Sequence, residues 1–374
     1  MSSQFDLLDA RLLENLGIHG PRNITALART LGAPTETVRK RLQRICSRNF
    51  LRTHVNIYHT NLGLKKAVVF AEAIPGYEDT LFEALQINSF WIYLSRCYGI
   101  HEGCIGVYTI PTDHCVDFEL FLRELEQLNI ARKIDFYWST CFKTVNLKRT
   151  WFDSEARSWS LLWDKWVEEI PTKGTRLPFT LIDPLDFRVE GDKTDVLILK
   201  ELEKDATVSF TKMAKMLDIS PQLVRYHFYE HLVKRNLIES FQIIVPPFDR
   251  AISDMFFFIF RFDTGEKLAK FALSLMDKPF VYTLGKILKE DSLVANLYMP
   301  KYEFRKFIDA LSHLVQAGSL QSYLYVIQDL DKTVRQTISY EYFEKGSWIY
   351  EHEKHIQRLV DLAERNRLKR PVVA

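Results

Sequence analysis

The chain has 374 residues, 47% hydrophobic and 26% charged, with a formal net charge of +2. This composition suits two to three globular domains, each able to bury a core, and excludes a disordered or collagen-like chain. The near-neutral total excludes a polybasic nucleic-acid binder, so any basic surface must be local.

The five cysteines, Cys46, Cys97, Cys104, Cys115 and Cys141, are odd in number and sparse, which fits a reducing cytosol better than a disulfide framework. The N-terminus "MSSQFDLLDARLL" has no basic region followed by an apolar run. The longest apolar stretch, "MFFFIFRF" at 255–262, is too short to span a bilayer and is broken by Arg261. A cytoplasmic protein without membrane contact is expected.

In chain order, "LLDARLLENL" has apolar residues at helical spacing, "ITALARTLG" is a second short helix closed by Gly32, and "TETVRKRLQRIC" is a third. Thr35 is a suitable N-cap for the third helix, with Glu36 at its positive end. "FLRTHVNIY" follows with the alternation of a wing strand. Three helices and a wing are the winged helix-turn-helix plan. Strands are then expected at 66–74, 90–98, 103–110 and 130–140, with helices at 77–87 and 114–128. That order is β-α-β-β-α-β, the ferredoxin-like arrangement. A helix over 154–169 carries Trp159, Trp163 and Trp166 as an apolar stripe, and a Pro- and Gly-bearing linker follows at 171–192.

The same succession then returns. Shifted by 186 positions, Asp9, Leu13, Leu16, Ala28, Leu31, Val38 and Arg39 fall on Asp195, Leu199, Leu202, Ala214, Leu217, Val224 and Arg225. Shifted by 189, Lys143-Thr144-Val145 falls on Lys332-Thr333-Val334 and Trp159 on Trp348. Helices at 194–204, 209–217 and 220–234 precede a second β-α-β-β-α-β set at 254–263, 266–277, 280–288, 292–299, 301–316 and 319–328. The third helix of this half is one residue longer between Val224 and Leu232 than its counterpart between Val38 and Ile45. Phe256, Phe258 and Phe260 alternate with other apolar residues on a sheet whose open face needs a partner sheet.

The fold class is therefore α+β: two repeats of a winged helix-turn-helix followed by a ferredoxin-like domain, with helical extensions after each. The boundaries read as 1–60, 61–150, 151–192 (Trp-rich helix and linker), 193–247, 248–332 and 333–374 (C-terminal helical extension).

"LDARLLENL", "ITALARTLGAPTETVRKRLQRI" and the following "FL", with the Gly99 turn between the middle strands, resemble the Lrp/AsnC family of transcription regulators. The resemblance implies double-stranded DNA as partner, a homodimer formed through the ferredoxin-like sheets, and a small-molecule effector near Gly99, His101 and Glu102. It departs from the family in carrying two units per chain, and the family's Gly-x-Tyr-Asp turn reads here as "GIHEGC" and "GKILKEDS".

For DNA, residues 33–54 hold six basic residues against one acid, a local +5 that would supply phosphate affinity. Thr35, Thr37, Arg39, Lys40 and Gln43 are expected in the groove, with Arg44, Arg48 and Arg52 on phosphates. In the second half Gln222, Arg225, Tyr226, His227, Tyr229, Lys234 and Arg235 would take these roles, on a helix of local charge +1.

Other readings are weaker. Cys97, His101, Cys104, His114 and Cys115 match no standard ligand spacing, so no metal site is expected. There is no phosphate-binding loop and no nucleophile elbow, so neither an enzyme nor a cofactor is expected. A winged-helix protein-interaction scaffold or an architectural DNA-binding protein is the alternative. An outside alternative is the siroheme decarboxylases, built on a similar plan, whose paired-His signature is not visible here.

Overall fold

The computed structural model describes residues 5–48, 51–100 and 102–367. In the first half, α1 (Leu7–His19), α2 (Ile24–Leu31) and α3 (Thr35–Arg48) precede β1 (Arg52–Ile57). Asp6 and Asp9 form a reciprocal capping box at α1, Asn23 caps α2, and Gly32 ends it at φ +64° in the left-handed region. The ferredoxin-like unit follows as β2 (Leu64–Ala73), α4 (Glu78–Leu85), β3 (Trp91–Gly99), β4 (Gly103–Pro111), α5 (Cys115–Gln127) and β5 (Ala131–Ser139). A short β6 (Lys143–Thr144), a hairpin of β7 (Phe152–Asp153) with β8 (Ser158–Trp159), and α6 (Trp163–Glu169) complete this half.

The second half repeats the succession with α7 (Lys193–Lys204), α8 (Phe210–Leu217), α9 (Pro221–Tyr226) and β9 (Ile238–Ile244). Its ferredoxin-like unit is β10 (Ser253–Arg261), α10 (Gly265–Leu275), β11 (Val281–Lys286), β12 (Ser292–Pro300), α11 (Lys301–Gln316) and β13 (Ser322–Arg335). A hairpin of β14 (Phe343–Glu344) and β15 (Ser347–Trp348) leads to α12 (His352–Arg367). The extra residue noted in the sequence appears as a π-helical segment, His227–Val233, that continues α9.

The two ferredoxin-like units share one nine-stranded sheet of order β5-β2-β4-β3-β13-β10-β12-β11-β6. β3 pairs antiparallel with β13, placing Gly99 opposite Val326. At the far edge β11 pairs with β6, and Ser139 at the end of β5 bridges Ile287. The first and last strands are thus neighbours in the chain, and the sheet curls round to close on itself. Period-2 alternation decides the faces. Phe257 and Ile259 point inward with Val68, Phe70, Ile105 and Val326. Phe256, Phe258 and Phe260 point outward to Phe271 and Phe307 on the helices, so the even-numbered Phe residues face helix and their neighbours face sheet.

Two expectations change here. The homodimer through ferredoxin-like sheets is replaced by pairing inside one chain, because each unit's open face is already covered by the other. The wings are not free either: β1 pairs with β9, from Arg52 opposite Ile244 to Ile57 opposite Ile238. Val55 and Ile57 pack in the core of the second winged helix, while Ile243 and Val245 pack in that of the first. The strands are exchanged.

The tails cross over as well. The helix expected over 154–169 is broken by a tight turn in which the Asp153 carboxylate accepts from the amides of Glu155 and Ala156 and Arg157 takes φ +51°. Trp159 therefore packs against Phe5 and Phe152 in the first winged helix. Trp163 and Trp166 on α6 pack against Phe280 and Phe307 of the second ferredoxin-like unit. Conversely α12 lies on α4 and α5 of the first unit, and Trp348 donates its indole N–H to the carbonyl of Leu62 at 2.6 Å. No helix among the described residues is long and apolar enough to cross a membrane.

Candidate functional site

Three regions carry chemistry: the recognition helices, a cleft between the winged helices, and a chamber beneath the paired wings.

On α3, Lys40, Gln43 and Arg48 are exposed and Thr35 and Thr37 are half-buried, and Arg52 at the start of β1 is exposed. Arg39 is exposed but ion-paired to Glu36 one turn earlier. Arg44, expected on phosphate, instead pairs with the fully buried carboxylate of Asp9, beside Arg41, which reaches Asp9 at 2.8 Å and Asp6 at 2.7 Å. The Arg41 contact and two backbone amides outweigh burial and hold Asp6 below the usual carboxylate range. These two arginines join α3 to α1, and their charge is matched there by Asp6 and Asp9.

In the second half Gln222, Arg225, Tyr226 and Tyr229 are exposed, and the Arg225 guanidinium lies 5.8 Å from the Tyr229 ring. Lys234 pairs with Glu230, and Arg235 donates to the carbonyl of Glu190 at 2.7 Å. His227 is buried against Asp195, so its expected contact with DNA is corrected: a base edge cannot reach it. Of the cations expected on DNA, Lys40, Arg48, Arg52, Arg225 and Arg235 have no carboxylate partner among the described residues, and Arg235 is tied to a backbone carbonyl.

The effector residues fall elsewhere. Gly99, at φ +120°, is taken into the β3–β13 seam, with a Cβ position 3.5 Å from the Tyr325 carbonyl. Glu102 is exposed, its carbonyl accepting from Ala73, and His101 lies outside the described residues. Cys97 and Cys104 are buried, and burial pushes the Cys97 thiol up to about 12. His114 stacks on Tyr350 and pairs with Asp117.

The cleft has a volume of about 1230 Å³ and lies between α3 and the second winged helix. Arg22, Arg39, Arg52 and Lys204 line it against one acid, Asp205, over an apolar floor that includes Leu42, Leu51 and Phe210. Arg22 reaches across from the first winged helix, 4.6 Å and 4.8 Å above the rings of Phe210 and Phe228. Its Nε and Nη2 are enclosed without a hydrogen-bond partner. A cationic cleft with an apolar floor suits an anionic ligand that also has apolar surface.

The chamber, about 340 Å³, sits at one end of the closed sheet's interior. Lys204 lines both spaces, so chamber and cleft are neighbours. β1 and β9 roof the chamber with His54, Asn56 and Gln242. Lys66 enters from β2, two residues before the inward-facing Val68. It is 4% exposed, its ammonium 4.3 Å from the Phe142 ring, and among the described residues it has no ion pair. Burial lowers its pKa, partly opposed by Cys141, Glu203 and Glu239. His59 is 2% exposed; its Nε2 has no partner, and burial with Lys66 nearby pushes it well below the usual imidazole range.

Glu203 comes from the last turn of α7. Removal from water raises its carboxyl to about 8, although the amide of Ile338 donates to it at 2.7 Å and Lys66 pulls the other way. Tyr93 donates to Gln328, which donates to Asn296 at 2.7 Å. Arg335 stands beside Tyr93, its guanidinium 5.3 Å from that ring.

A neutral acid, a free imidazole nitrogen and an uncompensated ammonium in one pocket form an acid–base site. None of the three was singled out in the sequence. For Lys66 a signal existed: a lone Lys in phase with Val68 and Phe70 on a strand must enter the core. Glu203 carried none, because its environment is built by the other half of the chain.

Residues 191–238 match the family described as winged helix-turn-helix DNA-binding. No curated protein matches the chain. Among solved structures, the siroheme decarboxylase NirDL superposes with a TM-score of 0.57 at 9% identity, over 96% of this chain and 99% of that one. The same enzyme in complex with an iron-uroporphyrin III analogue gives 0.53 at 11% identity, with the same coverage. AsnC from E. coli covers 36% of this chain, with a TM-score of 0.29 and 13% identity. The fold is the tandem Lrp/AsnC-like architecture, matched from end to end by a two-copy protein.

Proposed function

We propose that the chain is an enzyme of the siroheme-decarboxylase type, performing acid–base chemistry on a carboxylate-bearing ligand in the chamber beneath the exchanged wings. The observation that carries this reading is that the buried Lys66 and His59 and the half-buried Glu203 line one pocket, with no ion pair between them among the described residues. The end-to-end likeness to NirDL supports it. This sets aside the sequence-based expectation of a regulator without catalysis.

Loss of CO2 from a carboxylate leaves an electron pair on carbon that must take up a proton. Glu203, raised to about 8, still holds its proton at neutral pH and is the acid for that step. Lys66 is the cation that draws the carboxylate in, and the free Nε2 of His59 is placed to accept or return a proton. A space of 340 Å³ admits a side arm, and the adjoining 1230 Å³ cleft, with four cations, takes the body of a larger ligand.

The test is titration with the iron-uroporphyrin III analogue, read as a shift of its visible spectrum, followed by anaerobic incubation with siroheme and mass spectrometry. A spectral shift and a product lighter by carbon dioxide are expected, and both should be lost in Lys66→Met. Neither a shift nor a mass change would end this reading.

A second reading keeps DNA as partner. It is favoured by the winged-helix family match over 191–238 and by the exposed Gln222, Arg225 and Tyr226 on α9. Selection from a random duplex library at low and physiological salt tests it: an enriched motif that survives higher salt supports it, and no binding at either salt removes it.

A further inference from the structure

We propose that Asp192, Asp195, His227 and His231 form a binding site for a divalent transition-metal ion, zinc above all, that ties α7 to the π-helical segment of the second winged helix. Asp192 and Asp195 are the cap and third residue of α7. Each accepts from the other's backbone amide, at 3.0 Å and 2.9 Å, so both carboxylates are oriented before any ion arrives. His227 and His231 approach from the π-helical segment, and both Nδ1 atoms aim at these oxygens.

Hydrogen bonds from both imidazoles draw the four groups together around Asp195. His227 Nδ1 lies 2.7 Å from Asp195 and 3.8 Å from Asp192, and His231 Nδ1 lies 3.0 Å from Asp195 and 3.9 Å from Asp192. All four ligand atoms fall within 4.8 Å of one another. A tetrahedral zinc with bonds of about 2.0–2.2 Å separates its ligands by about 3.3–3.6 Å, wider than the two hydrogen-bonded contacts and narrower than the other two, so a small shift of the imidazoles away from Asp195 would admit the ion. Two imidazoles and two carboxylates form an N/O set suited to such an ion. Asp195, His227 and His231 are buried, while the Asp192 side chain is 52% exposed and leaves the site a mouth.

The first half shows what the same place looks like without a metal. There Asp6 and Asp9 form the equivalent capping box, and two permanent cations, Arg41 and Arg44, neutralise it. In the second half the same two acids remain and the arginines are replaced by histidines, which are charged only when protonated. The added residue of the π-helical segment lies between Val224 and Leu232, the stretch that carries both histidines. Bulges of this kind are frequent at functional sites. A dication restores the balance that the arginines provide in the first half.

The full chain, freed of any affinity tag and stripped with chelator, is titrated with Co²⁺ and then Zn²⁺. One saturable equivalent of Co²⁺ with visible d–d absorption, displaced by Zn²⁺, is expected. His227→Gln or His231→Gln should each weaken it at least tenfold. Because these sites are buried, a second variant combines His227→Arg with His231→Arg, the first half's solution, and is expected to fold without binding cobalt. No saturable equivalent on the wild-type chain, or an unchanged cobalt spectrum in the doubly substituted chain, would overturn the proposal and leave a hydrogen-bonded cluster only.

Discussion

The two halves share one plan and differ where chemistry is concerned. Lys66 pairs with Thr109 and Ser139, and the same register position in the second half, opposite Tyr298 and Gln328, is Met255. By the same 189-residue offset His59 corresponds to Phe248, and by the 186-residue offset Glu203 corresponds to Gly17, which packs against Asn146. One end of the closed sheet thus gathers a cation, an imidazole and an acid, while the other end has a thioether, a ring and no side chain. At the winged helices the acids are matched and their partners differ: Arg41 and Arg44 in one half, His227 and His231 in the other. Duplication supplied two equivalent frames. One frame could then keep the packing solution while its twin carried groups that cost stability.

The largest effect expected from disturbing this comparison is on stability. Asp9→Ala removes a fully buried carboxylate, its two arginine contacts and one arm of a capping box. Both arginines are partly exposed and can turn to water, so the loss should lie at the low end for a broken buried pair, about 3 kcal/mol by urea denaturation. Asp195→Ala in metal-free protein should cost less, since it strands no permanent cation. An equal loss would mean that the two clusters do the same work.

Next comes Lys66→Met, which gives the first half the residue of the second. It removes an unpaired buried ammonium and replaces it with a side chain of similar reach, so the protein should gain about 1–3 kcal/mol while ligand binding falls by roughly a hundredfold. Function lost with stability gained marks a functional group. A loss of both would instead make Lys66 a structural residue.

The third concerns pH. With its carboxyl raised from 4.5 to about 8, Glu203 favours the fold while protonated, and that stability is lost as pH rises through about 8. His59, pushed low, acts in the opposite sense, and its stability disappears as pH falls below 6.5. Between 6.5 and 8 Glu203 therefore acts against little opposition from His59. Wild-type stability should decline there by up to about 1.4 kcal/mol per pH unit relative to Glu203→Gln, with Lys66 common to both proteins. Parallel curves for the two proteins would remove Glu203 from the acid's role.

The comparison also shows what a linear reading can reach. The order of elements was legible because hydrophobic period and caps are local: α3, α5, β4 and α11 lie within a residue or two of their expected ends. The extra residue between Val224 and Leu232 was legible too, as a length, though its π geometry was not. What escaped depends on which half covers which. β1 looks like a free wing until β9 pairs with it, and Trp159, Trp163 and Trp166 look like one stripe until a turn at Arg157 sends them to different cores. Arg44 and His227 have the residue types of DNA contacts, and only the approach of α1 and α7 reveals them as internal partners. Glu203 acquires its raised carboxyl from burial among walls that lie far away in sequence, with Ile338 and Lys66 opposing the shift.

The smallest effects belong to DNA. With the wings exchanged, with Arg41, Arg44 and His227 engaged inside the protein, and with Arg235 held by the carbonyl of Glu190, the exposed cations on the recognition helices and wings without a carboxylate partner are Lys40, Arg48, Arg52 and Arg225. Each phosphate contact contributes about −0.9 to the slope of log K against log salt, so a duplex bound through these four should give a slope of about −3.6, shallow for a specific reader. Lys40→Ala and Arg225→Ala should each lower affinity by no more than about tenfold and reduce the slope by about one. The asymmetry between the halves makes the pair informative. The family match falls on the second winged helix, whose exposed face also offers Gln222 and Tyr226 to bases. If Arg225→Ala weakens binding and Lys40→Ala does not, one winged helix reads DNA while the other serves as packing for the chamber. If both act alike, the halves still read together and the chamber is an addition to a working DNA binder. If neither acts, the winged helices serve as walls for the cleft, and the exchanged strands are the reason they cannot reach a groove.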